Sequence, residues 1–262
     1  MHSVHDRLDP SRATALNVTL GRDGEIAAGD PLPPFYHQIY FWEPVDASGL
    51  GRDGHPRVGG LIPDLGLPRR MWAGGRLTFQ TALRAGVSAE KRTTVESQAH
   101  KDGRSGPLGF VTLRHEIWQD DKLCLTEWQD LVYREDPDTA APRPTAPEAR
   151  SDETSVRTRA FNSTMLFRYS ALTFNGHRIH YDAEYARSVE GYGGLVVHGP
   201  LLAQLLMLMA EEEMGALASF SFRATSALLD SEEAVFCRNG QDLWVRGPDG
   251  RQNMQAQAVA LK

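Results

Sequence analysis

At 262 residues with 41% hydrophobic side chains, the chain can bury one large core or two modest ones. Its 28 basic and 34 acidic side chains give a net charge of −6, and no apolar run approaches the roughly 20 residues of a membrane helix, which argues against nucleic-acid and membrane partners. The start, MHSVHDRLDPSRATAL, lacks an apolar signal core, and the only cysteines, Cys124 and Cys237, are far apart, so a soluble cytoplasmic or organelle-matrix chain without a cysteine metal site is expected.

Asp9-Pro10 predicts the start of a short N-terminal helix. Residues 49–75, rich in Gly and Pro, predict irregular chain. Four partly alternating stretches follow, GRLTFQTAL, TTVESQAHK, PLGFVTLRHEIW and LCLTEWQDLVYR, with a turn at KDGRSG, and they predict an antiparallel sheet. EDPDTAAPRPTAPEARSD, with four prolines, predicts an extended linker over 136–152 between domains 1–135 and 153–262. Beyond it, MLFRYSAL predicts a strand and residues 183–189 a short helix capped by Asp182. LLAQLLMLMAEEEM, between Pro200 and Gly215, predicts a long buried helix. FSFRATSALL, AVFCRN, DLWVRG and NMQAQAVAL predict a sheet around that helix, with Asn239-Gly240 and Asp249-Gly250 as hairpin turns. A sheet wrapped around one helix is the hotdog architecture. The expected fold is therefore α+β, a double hotdog whose N-terminal copy is degenerate because it has no equally apolar helix.

Two segments carry candidate chemistry. Between residues 69 and 115, nine basic side chains (Arg69, Arg70, Arg76, Arg84, Lys91, Arg92, Lys101, Arg104, Arg114) face three acids (Glu90, Glu96, Asp102). That excess reads either as solvated strand faces or as a surface for an anion such as the phosphates of CoA. The second segment, FRYSALTFNGHRIHYDAEYA followed by EGYGGLVVHGPLLAQLL, holds His177, His180 and His198.

This second segment resembles the hydratase motif D-x-N-P-x-H-x-D of MaoC-like, hydratase-2 proteins. Laid over the chain, the motif puts His180 on its histidine, Asp182 on its last acid, His177 on its asparagine, Arg178 on its proline and Asn175 on its first acid. The form with Asn resembles the subgroup of mitochondrial-type 3-hydroxyacyl-thioester dehydratases and mesaconyl- and itaconyl-CoA hydratases. The phrases DGHPRVGGLIPDLGLPRRMWAGGRL and KDGRSGPLGFVTLRHEI resemble that subgroup's first domain, so the likeness spans nearly the whole chain. It implies hydration or dehydration of a short enoyl-CoA or 3-hydroxyacyl-CoA, with CoA as part of the substrate and no separate cofactor.

Such a reaction needs a group that moves a proton near neutrality and fixed donors for an enolate oxygen. His180 is the candidate for the first. Asn175 cannot act as a base and is assigned to holding the water, and the N–H of Gly199 at the start of the long helix is assigned to the enolate. Arg69 and Arg70 could clamp a terminal carboxylate as a planar fork, and Trp72, Gly74, Arg178 and His198 complete the candidate substrate-binding set. His177 and His180, three apart with Arg178 between them, make a poor metal pair. No Gly-x-Ser-x-Gly elbow or nucleotide loop is present. A fatty-acid dehydratase, a non-catalytic thioester-binding subunit and a hotdog thioesterase remain the competing readings. A homodimer is admitted but not required.

Overall fold

The computed structural model describes residues 1–103, 106–136 and 145–262. The tip of the expected KDGRSG turn and the linker prolines Pro137, Pro142 and Pro144 lie outside the described residues. The strands are β1 (His2–Arg7), β2 (Arg69–Phe79), β3 (Ser88–Gly103), β4 (Gly106–Gln119), β5 (Lys122–Arg134), β6 (Ser155–Ala160), β7 (Leu217–Ala224), β8 (Glu233–Asn239), β9 (Asp242–Arg246) and β10 (Gln252–Ala260). They form one antiparallel sheet in the order β1-β3-β4-β5-β2-β7-β10-β9-β8-β6.

Read from each edge inward, the two halves have the same order. β1-β3-β4-β5-β2 runs to the middle from one side and β6-β8-β9-β10-β7 from the other. This is the internal repeat that residue identities do not display, and it is the double hotdog expected above. The halves meet where Gly74 pairs with Arg223 and Gly75 with Phe222. A Cβ on Gly74 would stand 2.5 Å from the Phe222 carbonyl oxygen, and one on Gly75 would stand 2.7 Å from that of Trp128. The seam therefore requires a glycine at 74 and the close packing of β2 on β5 one at 75, and Gly74 is part of the sheet.

The helices differ between the halves. After β1 comes α1 (Pro10–Thr19), where Asp9 accepts a hydrogen bond from the Ser11 N–H as expected of its cap. A 3-10 turn, Tyr36–Ile39, follows, and the chain then stays largely irregular as far as β2. After β6 come α2 (Ser163–Leu172), a 3-10 turn (Arg178–His180), α3 (Ala183–Ser188) and α4 (Gly199–Met214). Ten of the sixteen residues of α4 are buried, and it packs on β7, β10, β9 and β2. The hydrophobic face so removed from water is the main stabilising term of this half. Gly215, at φ 85°, ends the helix.

MLFRYSAL is helical, not a strand. Asn162 caps α2 by accepting from the Met165 N–H, and Leu166, Tyr169 and Ser170 are buried at helical spacing while Phe167 is exposed. The end of the expected linker is tied down, since the Ala149 N–H donates to the Gly250 carbonyl and Trp244 Nε1 donates to that of Arg150. Cys124 and Cys237 are buried free thiols, raised by that burial, Cys237 to about 11. Among the described residues no helix is long and apolar enough to cross a membrane.

Candidate active site

The chain leaves α2 through Phe174, a non-glycine residue at φ 51° whose ring stacks on Trp42 with centroids 5.1 Å apart. Asn175 Oδ1 then accepts from the His177 N–H at 3.0 Å, an Asx turn that starts the Arg178–His180 turn. Asp182 caps α3 by accepting from the Tyr185 N–H. Arg178, a substrate-binding candidate, is instead committed to this scaffold: it donates to Asp182 at 2.6 Å and to the Arg52 carbonyl and lies over the Tyr185 ring.

A second loop closes on the motif. A Cβ on Gly54, at φ 87°, would fall 2.0 Å from the Gly176 carbonyl oxygen, and one on Gly176 would fall 2.6 Å from that of Gly54. Only two glycines allow this approach, and it seats His55 against His177. Four imidazoles then stand in a row. His55 and His177 have ring centroids 4.7 Å apart, His177 and His180 5.4 Å, and His180 and His198 are stacked at 3.6 Å. Sequence spacing brings together the last three, whereas His55 was missed because no local pattern links it to the motif.

His180 Nδ1 lies 2.7 Å from the Val196 carbonyl. A carbonyl only accepts, so Nδ1 carries the proton and Nε2 presents a lone pair. Burial lowers His180 to about 4, against a smaller opposing effect of the Val196 carbonyl, so the ring is neutral at pH 7. Burial also lowers His177 to about 2, helped by the neighbouring His180 and by Arg70 and Arg69, and holds His55 and His198 well below 6.5. His198 is fully buried, hydrogen-bonded through Nε2 to Ser170 Oγ at 2.8 Å, and precedes α4 without capping it.

The start of α4 is thus free of a side-chain cap. Gly199 is partly exposed, its N–H has no backbone acceptor among the described residues, and the sole atom within 4 Å of a Cβ placed there is the Trp72 oxygen, at 3.9 Å. Packing does not require a glycine here, in contrast to Gly54, Gly74 and Gly176.

A cavity of about 560 Å³ opens beside this arrangement. One wall holds Ser170, Asn175, Gly176 and His55, whose ring begins the imidazole row; His177, His180, His198 and Gly199 themselves do not line the cavity. The far wall comes from the N-terminal half: His37 and Gln38 from the 3-10 turn, Lys91 from β3, His115 from β4, and Glu127 and Gln129 from β5.

Neither member of the expected arginine clamp lines this cavity. Arg69 is buried, its Nε paired with Glu190 and its Nη2 donating to Tyr192. Arg70 acts on the imidazole row through its charge. Trp72 donates through Nε1 to the Gly74 carbonyl and packs beside Phe35 and Phe222, a core position. One group could gather a cation, since ligand atoms of Asp53, His55 and His177 lie within 4.8 Å of one another. The positive charge of Arg70 on both imidazoles works against a divalent ion there.

The family profile described as "Hydroxyacyl-thioester dehydratase type 2" matches residues 35–230. The chain is 44% identical over 260 residues to a mesaconyl-C(4)-CoA hydratase of Chloroflexus aurantiacus, covering 97% of this chain and 92% of that one. In structure it is similar to HtdX of Mycobacterium tuberculosis, with a TM-score of 0.70 at 15% identity over 98% of this chain and 100% of the other. It is also similar to a second protein of that organism described as a double hotdog, with a TM-score of 0.53 at 15% identity over 97% and 86% of the two chains. The chain belongs to the hydroxyacyl-thioester dehydratase type 2 family and is a hydro-lyase.

Proposed function

We propose that the chain adds water reversibly across the 2,3-double bond of a short, branched dicarboxylic enoyl-CoA of the mesaconyl or itaconyl type. The supporting observation is the His180 tautomer beside an uncapped helix start. Nδ1–H is held by the Val196 carbonyl, so Nε2 is the atom that takes the proton from water. The water oxygen bonds to C3 of the acyl group while the C2=C3 electrons move toward the thioester carbonyl. The enolate oxygen so formed is met by the Gly199 N–H with the α4 dipole behind it. His180 then returns the proton to C2, so one imidazole serves in both steps.

Asn175 holds the water. Its Oδ1 is fixed by the His177 N–H, and its side chain lines the cavity. The likeness to a mesaconyl-C(4)-CoA hydratase supports the choice of acyl group. CoA enters as part of the substrate, no separate cofactor is needed, and a cytoplasmic setting suits that supply. Loss of enoyl-thioester absorbance should be measured with mesaconyl-C4-CoA, itaconyl-CoA and crotonyl-CoA. Turnover of at least one is expected, and absence of turnover on all three defeats the reading.

A further inference from the structure

The cavity wall opposite Asn175 has a polarity that a saturated acyl chain would not use. Glu127 is fully enclosed there, and its oxygens receive His37 Nε2 at 2.9 Å and Gln38 Nε2 at 2.9 and 3.0 Å. Burial raises this carboxylate, but the interaction and hydrogen bond with His37, together with His115 and Lys91, outweigh it, so the net shift is downward. His115, lowered by burial to about 4, is hydrogen-bonded to Thr93 at 2.8 Å and faces Gln129 at 3.3 Å. These groups satisfy one another.

Lys91 is different. Among the described residues its ammonium makes no hydrogen bond and no ion pair, and its contact is the Phe41 ring, 5.5 Å from Nζ. Glu43 and Glu127 act on it only at longer range. Glu43 is engaged by His2, and Glu127 by His37 and Gln38. Burial lowers the lysine, which records what enclosing the charge costs. A half-buried ammonium whose contact is an aromatic ring is stabilised by a bound group that supplies a hydrogen-bonded anionic partner.

We infer that Lys91 is the counter-ion for a carboxylate on the acyl group, so that the N-terminal half selects anionic acyl-CoA substrates over uncharged ones. The inference rests on the hydratase reading for the placement of the acyl group against Asn175. A saturated chain in the same place would strip water from the Lys91 ammonium and return no hydrogen bond. A carboxylate would complete the pair.

The test is equilibrium binding of two unreactive thioesters that differ by a carboxylate in place of a methyl group, succinyl-CoA and butyryl-CoA. The wild-type chain should bind succinyl-CoA at least about tenfold more tightly. Lys91→Gln should abolish that preference while leaving butyryl-CoA affinity within about twofold, and Lys91→Arg should retain most of it. Circular dichroism and thermal melting establish that each variant is folded. Absence of a preference in the wild-type chain, or equal weakening of both ligands in Lys91→Gln, overturns the inference. Should Lys91→Gln not fold, Lys91→Arg and the wild-type ratio still decide it, because a charge-independent contact predicts no preference in either. Failure of the hydratase reading is a separate result, namely no turnover of any enoyl-CoA with the succinyl preference intact.

Discussion

The two halves of the sheet share a strand order and differ in what lies across it. The C-terminal half keeps a sixteen-residue helix, α4, and places its N-terminus against a histidine whose free nitrogen is a base. In the N-terminal half, a 10-residue helix and a 3-10 turn stand in place of that long helix, and the cavity lies over β3, β4 and β5. By the matching strand orders, a helix equivalent to α4 would lie over β2, β5 and β4, so the cavity overlaps its place at β4 and β5. On the reading proposed above, labour is divided: one copy carries the chemistry, and the other, without such a helix, holds the substrate.

Four experiments sharpen that comparison. The largest effect is expected at His180→Ala, which should lower kcat by about 10³-fold with little change in KM, whereas His115→Ala in the other half should act mainly on KM. Steady-state kinetics on both variants will show whether turnover and binding separate between the halves. Next, Leu206→Ala, at a fully buried α4 position, should cost about 3 kcal/mol in urea unfolding, while Val18→Ala on exposed α1 surface should cost less than about 0.5 kcal/mol. Comparable losses at the two would deny α4 its dominance.

Gly199→Ala should fold with an unchanged melting temperature, because the added methyl meets the Trp72 carbonyl oxygen only at 3.9 Å, and yet lose about tenfold in kcat by crowding the substrate at the proposed enolate donor. A drop in stability with intact turnover would assign Gly199 to packing.

The smallest effect concerns pH. His55, His177, His180 and His198 are held neutral in the folded chain, below the value of about 6.5 that each has when unfolded. Below about pH 6.5 the unfolded chain therefore binds more protons than the folded one. The stability contributed by these rings is full above that pH and falls as pH drops toward 4. Thermal midpoints at about pH 7.5 and 5 should differ by several degrees, and by less in His177→Asn. A midpoint that does not move would show that the rings are not held neutral.

Much of this was legible in the sequence because the signals are local. Strands β2 to β5 alternate, α4 is bracketed by Pro200 and Gly215, and Asn175 to Asp182 follows a motif spacing. What escaped was set by contacts distant in sequence or by weak patterning. Strands β1 and β6 are edge strands with largely exposed side chains, so hydrophobicity does not mark them. MLFRYSAL looked like a strand because its apolar residues cluster, and the Asn162 cap was overlooked. Arg69 looked available for a substrate because its partner Glu190 lies far along the chain. His55 joins the imidazole row only through the close approach of Gly54 and Gly176, and Lys91 looked like one of nine basic residues until the fold enclosed it.

The glycine seam between β2 and β7 bears on how the enzyme responds to dilution. Hotdog sites made by pairing separate chains exist only to the extent that those chains are associated, and they weaken as concentration falls. Here the far wall with Lys91 and the near wall with Asn175 belong to one covalent chain and one hydrogen-bonded sheet. The covalent chain and the sheet thus hold these two walls together whatever the protein concentration.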